Sequence, residues 1–484
     1  MNGTANGTLA QLPDEMFSII QATAGTPSPR LARLCLPGRR IIDTPHYLAS
    51  TSRGVVPHIT QDTFRRDTSI NGVYVALEDF IERAPRKVPP LYQFKPLDGA
   101  SPLRKFVALP DDALLVLGAR RSPPVAAPAA NPNTDTTISI CTAVGFRQLK
   151  VDEYAEETEE LKADILVGLG DVPYGRALGN KRVERATDRM IQWLQDHVAL
   201  REERKDGYGH QAKLFASLIP VECRKQQFYI DCLAEELVKD ISGLALYNLS
   251  TLEDIPESLA HLPRLGFTEP KTPHEILQQV ALGMDILTIP FIGAATDAGI
   301  ALDFTFPPRH APNGLEPRSL GVDMWSAEHA VDVSPLSESC QCYACTNHHR
   351  AYLQHLLAAK EMLGWVLVQI HNHHTMDLFF AGIRQSIARD TFDEDVNTFS
   401  KVYESQLPEK TGQGPRVRGY QYRAEGPGES KKNAIAFQHK MNDGKEKLAE
   451  GTPPAADVDA EDLEVKGFGE KDEVEVSSTT RRAG

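Results

Sequence analysis

Apolar residues along this chain arrive in short unbroken bursts, separated by longer segments in which they recur every three or four positions. The bursts are ALLVLGA (113–119), ISICTAV (138–144), DILVGLG (164–170), LFASLIP (214–220), ISGLALY (241–247), DILTIPF (285–291) and VLVQIH (366–371). A strand buried on both faces needs no polar alternation, so each burst predicts a strand in a covered sheet. The intervening segments include 181–198, 223–240, 273–284, 350–364 and 377–390, and each carries helical spacing with one apolar face. Strands alternating with helices imply parallel pairing. Their number and span predict an α/β fold, a (β/α)8 TIM-type barrel, over an open doubly wound sheet. Neither G-x-G-x-x-G nor G-x-x-x-x-G-K-[ST] occurs, which argues against a dinucleotide or P-loop fold.

The pattern divides the chain into an N-terminal β-rich segment (1–110) leading into the barrel, the barrel itself (111–400), and a tail (401–484). The tail is expected to be largely disordered, because its apolar content cannot offset chain entropy. Residues 441–484 hold 12 acids against 6 bases. A Pro/Ala-rich stretch, ARRSPPVAAPAANPNTDTT (119–137), reads as a surface loop. The formal net charge is −14, which disfavours a stand-alone nucleic-acid binder, since phosphate neutralisation demands a basic face. No DNA partner is expected, and RNA contact requires positive charge supplied by something else. No apolar run of 18 residues exists, so no transmembrane segment is expected. The N-terminus lacks the basic-then-apolar layout of a secretory signal. With seven cysteines, an odd number, a reducing compartment is expected.

Cys35, Cys141, Cys223 and Cys232 are scattered and read as small buried apolar residues. Cys340, Cys342 and Cys345 are different: they form C-x-C-x2-C, which lets one loop wrap three thiolates around an ion. Thiolate and imidazole are donors that Zn2+ prefers. A fourth ligand would close a tetrahedral structural site, with no open position for water or substrate. His371 returns to the cysteines at the start of the next helix, but His348, His349, His355, His373 and His374 compete, and spacing alone does not choose.

The stretch from C-x-C-x2-C through RAYLQHLLAAKEMLG to IHN and IRQSI resembles the zinc subdomain of the queuine tRNA-ribosyltransferase (tRNA-guanine transglycosylase) family. KADILVGLGDVPY, RVERATDRMIQWL, SGLALYN and LPRLGFTEPKTPHEILQQVALGMDILTIPFIG extend the resemblance over roughly residues 110–395. It implies a (β/α)8 barrel with a zinc subdomain at about 330–375, one structural Zn2+, and Cys340, Cys342, Cys345 and His371 as its ligands. It also implies exchange of guanine for queuine at the wobble position of tRNA anticodons, begun by an aspartate that attacks the ribose.

At the position of that aspartate this sequence has Thr288, a weak nucleophile without an adjacent base. The motif DSGGFQ is absent, the nearest region being DTPHYLASTSRGVVPHIT (43–60). The base-recognising amide falls within ASLIP (216–220), and the basic segment after the nucleophile is GAATDAG (293–299). The family's base-binding aspartate aligns with Gly170 or Asp171, and its glycine–glutamate motif is replaced over Ser242–Asn248. The chain therefore resembles the family's non-catalytic, accessory branch, with no catalytic residue of its own. The partner implied is a catalytic queuine tRNA-ribosyltransferase subunit in a heterodimer, engaging tRNA through the complex. The family also implies a cytoplasmic location, with peripheral association to the mitochondrial outer membrane. Two alternatives are a self-sufficient transglycosylase using a displaced acid such as Asp285, and a zinc-stabilised RNA-binding scaffold.

Overall fold

A computed structural model describes residues 15–415, except 23–26, 82–87, 98, 129–130, 143–144, 173–177, 205–210 and 309–316. Eight parallel strands close into a barrel: β1 (His46–Ser50), β2 (Gly72–Ala76), β3 (Leu114–Gly118), β4 (Ile165–Val167), β5 (Lys213–Leu218), β6 (Gly243–Leu246), β7 (Arg264–Gly266) and β8 (Ile286–Thr288). The seam is closed by β8 against β1, with Ile286 opposite His46 and Thr288 opposite Leu48. Two of the strands lie ahead of residue 111, so the barrel starts earlier than the sequence pattern placed it. Most of the expected strands join the barrel. ISICTAV does not: Thr137–Thr142 pairs antiparallel with Gly145–Lys150 in a separate hairpin.

Period-two alternation along each strand divides two cores. Leu48, Tyr74, Val116, Val167, Phe215, Ala245 and Phe267 face inward, whereas Leu115, Leu117, Leu166, Leu214 and Leu244 face the surrounding helices. An antiparallel sheet of Phe17–Ala22, Arg30–Leu34 and Ile42–Thr44 covers the N-terminal end of the barrel. It sends Phe17, Leu34 and Ile42 into the interior core.

VLVQIH is helical rather than a strand. It lies inside one 27-residue helix, Met362–Ala388, that absorbs both the expected strand and the expected helix after it. A continuous apolar run fits a fully buried helix as well as a buried strand. Here Trp365, Leu367, Val368 and Ile370 are all buried. The segment expected to be disordered from 401 is ordered at its start. Val402 ends the helix Phe392–Val402, and the buried Tyr403 ring lies 4.7 Å from Phe399. The remainder of that expectation, 416–484, lies outside the described residues.

His46, at the head of β1, gives a testable pH dependence. It is fully buried, edge-on to Phe380, with Nε2 3.2 Å from the Asn71 amide nitrogen. Burial, with a smaller contribution from the Arg384 charge, pushes its pKa down to about 3. Below the ordinary value of about 6.5 the unfolded chain takes up this proton and the folded chain does not. Stability present above that pH is therefore lost as pH falls toward 3, by a few kcal/mol from this group. Urea unfolding midpoints measured from pH 7 to pH 4 should fall, and His46→Asn should flatten the slope by about one proton. An unchanged slope in the variant would refute the assignment.

Candidate metal centre and barrel mouth

The metal-type cluster is built from a loop, a short helix α1 (Tyr343–Asn347), a second helix α2 (Arg350–Ala358) and the long helix α3 (Met362–Ala388). The Arg350 guanidinium donates to the carbonyls of Pro335 and Leu336, both at 3.0 Å, and tethers the chain that leads into Cys340. Cys342 caps α1, its sulfur accepting from the Cys345 amide at 3.4 Å. A helix N-terminus favours sulfur in its anionic form.

His371 lies in the middle of α3, not at a helix start, and is fully buried. Its Nδ1 lies 3.6, 3.6 and 3.3 Å from the sulfurs of Cys340, Cys342 and Cys345. All four donor atoms fall within 4.8 Å of one another. A tetrahedral zinc with ordinary Zn–S and Zn–N bonds would separate nitrogen from sulfur by about 3.5 Å, so the donors stand at the spacing such an ion requires. His371 Nε2 lies 2.8 Å from the Leu302 carbonyl oxygen and donates to it, leaving the Nδ1 lone pair facing the sulfurs. Asn372 completes the clamp: it accepts from the Leu302 amide (2.8 Å) and donates to Thr296 (2.9 Å) and the Ile300 carbonyl (3.0 Å).

The electrostatics match a cation site. Hydrogen bonds from Cys342 and Cys345 hold the Cys340 thiol far below its ordinary value. Burial opposes charge on His371, yet hydrogen bonds with Cys340 and Cys345 raise it to about 10. A metal would displace that proton and take its place.

Three of the competing histidines, His373, His349 and His348, have other contacts, whereas His374 hydrogen-bonds Cys340 from outside the four-donor set. His373 faces Tyr47 (3.0 Å) and Gln369 (3.1 Å), and burial lowers it to about 3. His349 caps α2 by accepting from the Tyr352 amide, and His348 stacks on the Tyr352 ring at 5.3 Å. His355 is exposed. Sequence reasoning missed the supporting groups, Leu302 and Asn372. The HN pair itself was the available signal.

At the C-terminal mouth, where barrel enzymes carry their chemistry, the chain fills its own space. Thr288 ends β8, fully buried, and donates to the Gly266 carbonyl at 3.2 Å. Ser122, from the Pro/Ala-rich loop after β3, reaches Thr288 at 2.9 Å. That loop is latched on both sides. Arg121 binds Glu78 (3.0 Å) and Asp79 (3.1 Å), while Arg120 donates to the carbonyls of Ser139 (2.9 Å) and Gly170 (3.2 Å). Tyr74 donates to the Arg120 carbonyl at 2.5 Å and packs edge-on against Phe267 (4.8 Å), which stacks on Tyr247 (5.3 Å). Gly118 permits this: a Cβ there would stand 2.3 Å from the Tyr74 hydroxyl.

The void left among these groups is about 20 Å³, room for about one water and not for a purine. Asp171 is also occupied by its own chain, accepting from Arg182 (2.5 and 2.6 Å), Asn133 (2.6 Å) and Arg189 (3.1 Å). Burial would raise its pKa, but those hydrogen bonds outweigh burial and lower it. Asp285 lies at the opposite end of β8. Its carboxylate accepts from Arg30 at 2.8 and 2.5 Å and from the Arg264 amide at 2.8 Å.

The model of the family described as queuine tRNA-ribosyltransferase matches residues 26–405, most of the chain. The chain belongs to the queuine tRNA-ribosyltransferase family. Among curated relatives, a protein of Schizosaccharomyces pombe is 34% identical over 383 residues, covering 79% of this chain and 83% of its own. One of Ixodes scapularis is 28% identical over 403 residues (76% and 96%), and one of Homo sapiens 24% over 415 residues (77% and 96%). All three bear the name queuine tRNA-ribosyltransferase accessory subunit 2. The matched residues 26–405 include both the barrel and the cysteine–histidine cluster.

Proposed function

We propose that this chain is the non-catalytic accessory subunit of a heterodimeric tRNA-guanine transglycosylase. Its catalytic partner exchanges guanine for queuine at the tRNA wobble position, and this chain supports that partner and the placement of the tRNA. The observation that carries the reading is the barrel mouth, where Thr288 is covered by Ser122 and the remaining void is about 20 Å³. Among the described residues, the side chain at 288 is a hydroxyl and not a carboxylate, and the void lined by Tyr74, Ser122 and Phe267 is too small for a base. The buried pairing of Asp285 with Arg30 counts against Asp285 as a substitute. The accessory naming of the relatives and the acidic net charge support a role beside a partner that supplies the main RNA-binding charge.

The metal in this reading is one Zn2+ held by Cys340, Cys342, Cys345 and His371, with all four positions filled by protein and a purely structural role. The location is cytoplasmic. Among the described residues no helix is long and apolar enough to cross a membrane. The test is exchange of labelled guanine in tRNA by the zinc-loaded chain alone, by the catalytic subunit alone, and by the mixture. Silence alone with stimulation in the mixture is expected. Turnover by the isolated chain would overturn the reading.

The partner surface is expected around the same subdomain. Val331 is 87% and Val333 76% exposed, and Tyr343, Met362 and Leu363 are also exposed. Val331 and Val333 lie two residues apart, and a contiguous exposed apolar patch marks an interaction surface. Val331→Asp with Val333→Asp should weaken heterodimer formation at least tenfold, measured by analytical ultracentrifugation against the catalytic subunit. The Tm should be unchanged, since neither side chain is packed. Unaltered affinity would move the interface elsewhere.

A further inference from the structure

A groove of about 580 Å³ takes no part in the metal centre or the mouth. It lies between the hairpin Thr137–Thr142/Gly145–Lys150, the helix Val151–Leu161 and the second half of the helix Asn180–Glu203. Its size is that of a small-molecule site. The floor is apolar and rigid: Val151, Ala155 and Trp193 are buried, and the Trp193 indole is fixed by donation to the Asp135 carbonyl at 2.6 Å.

The walls are acidic. Asp152 and Glu156 project from one helix, Asp196 and Glu203 from the other, and Lys150 is the one base that lines the groove. None of these four carboxylates forms an ion pair among the described residues, whereas Asp135 at the rim is paired with Arg189 at 2.6 Å. Asp152 and Glu156 stand four residues apart on their helix, a like-charge spacing that costs helix stability.

A second observation points inward. His197 lines the groove and its side chain is 5% exposed. Its Nε2 donates to Glu159 at 3.0 Å, and burial keeps the ring below its ordinary pKa and neutral. With Nε2 as the donor, Nδ1 is left as an acceptor beside the groove. The groove thus offers hydrogen-bond acceptors around an apolar floor, and needs a ligand that brings donors and positive charge.

The spacing selects the kind of cation. Asp152 and Glu156 are about 6 Å apart along their helix axis, and Asp196 and Glu203 about 10 Å along theirs. A single hard divalent ion requires oxygens gathered within one coordination sphere. Among the described residues the only donors gathered that closely are the cysteines and His371. RNA and free phosphates are repelled.

We propose that this groove binds a linear aliphatic polyamine, its ammonium groups set between Asp152, Glu156 and Asp196 and its methylenes laid on Trp193. Shielded ammonium groups remove the like-charge repulsion between the facing helices, and the hydrocarbon spacers cover the indole.

Spermine is the probe, titrated calorimetrically into the full zinc-loaded chain at physiological salt with millimolar Mg2+ present. One saturable site is expected, accompanied by a change in Trp193 fluorescence that is absent in Trp193→Phe. The double variant Asp152→Asn/Glu156→Gln should weaken binding at least tenfold with metal content unchanged and Tm not lowered. Asp393→Asn/Glu394→Gln, which removes the same charge from an exposed helix start elsewhere, should leave it intact. Non-saturating binding, or equal loss in both double variants, would reduce the effect to the net charge of the chain and overturn the proposal. Binding of a lysine–leucine peptide but not of spermine would also overturn it, in favour of a protein partner.

Discussion

Removing the metal from the Cys340–Cys342–Cys345–His371 cluster is expected to lower Tm by about 5–15 °C and to loosen the subdomain built on it. The four donors draw together a loop, α1 and α3, and the core beneath them is small: Leu336, Ala344, Leu353, Leu357, Trp365 and Leu367, with Cys342 and Cys345 themselves among its members. Without a cation, two buried sulfurs, a half-buried third and the Nδ1 of a buried imidazole face one another, and such groups are costly to bury without a counter-charge. Cys342→Ser should reproduce the loss and abolish metal binding, because it removes a thiolate ligand while the serine hydroxyl still caps α1. Cys223→Ser is the control: that thiol is buried elsewhere and donates to the Thr251 carbonyl, a role a hydroxyl can fill. Elemental analysis should find one zinc per wild-type chain and none in Cys342→Ser. A metal-free chain with unaltered Tm would show that the four donors hold their positions unaided.

Placing a carboxylate at 288, the position the family resemblance implies for the nucleophile, should produce no exchange. Thr288→Asp is expected to leave the isolated chain without measurable guanine exchange, because the nucleophile is only one part of what the mouth lacks. An aspartate at 288 would meet Ser122 and the Gly266 carbonyl. The ring packing of Tyr74, Phe267 and Tyr247, under the loop latched by Arg120 and Arg121, leaves no volume for a base. Exchange by Thr288→Asp at a rate near that of the catalytic subunit would mean that this loop opens readily. Asp285→Asn should behave differently, changing stability and not activity. It leaves the buried Arg30 guanidinium short of a counter-charge, at a cost of about 3–5 kcal/mol.

How much of this was legible in the chain depends on the range over which each signal acts. The cysteine spacing is local, and the three thiols do come together with His371. Choosing His371 from the surrounding histidines required the family resemblance, because the choice depends on which ring faces the sulfurs. Leu302 decides that, accepting from His371 across 69 residues of sequence. The strands ALLVLGA, DILVGLG, LFASLIP, ISGLALY and DILTIPF could be read because a buried parallel strand is apolar on both faces. GVYVA, equally apolar and buried throughout, was missed although the same signal was present; HYLAS and RLG carried no such signal. β1 opens on a buried histidine, and β7 is three residues long and begins with an arginine whose backbone amide answers Asp285.

Two features belong to the tertiary structure alone. VLVQIH lies in a helix packed by α1, α2 and the strand Ile300–Leu302, so most of its residues are buried and no clearly polar face was left to betray a helical period. The Pro/Ala-rich loop was recognisable as a loop, yet its place across the mouth follows from Glu78 and Asp79 capturing Arg121, a contact that no sequence window contains. The sequence by itself determined the barrel class and the three cysteine donors, and put a threonine at 288. Only the tertiary structure decided that the space beside Thr288 is filled, because packing is set by side chains brought together from distant strands.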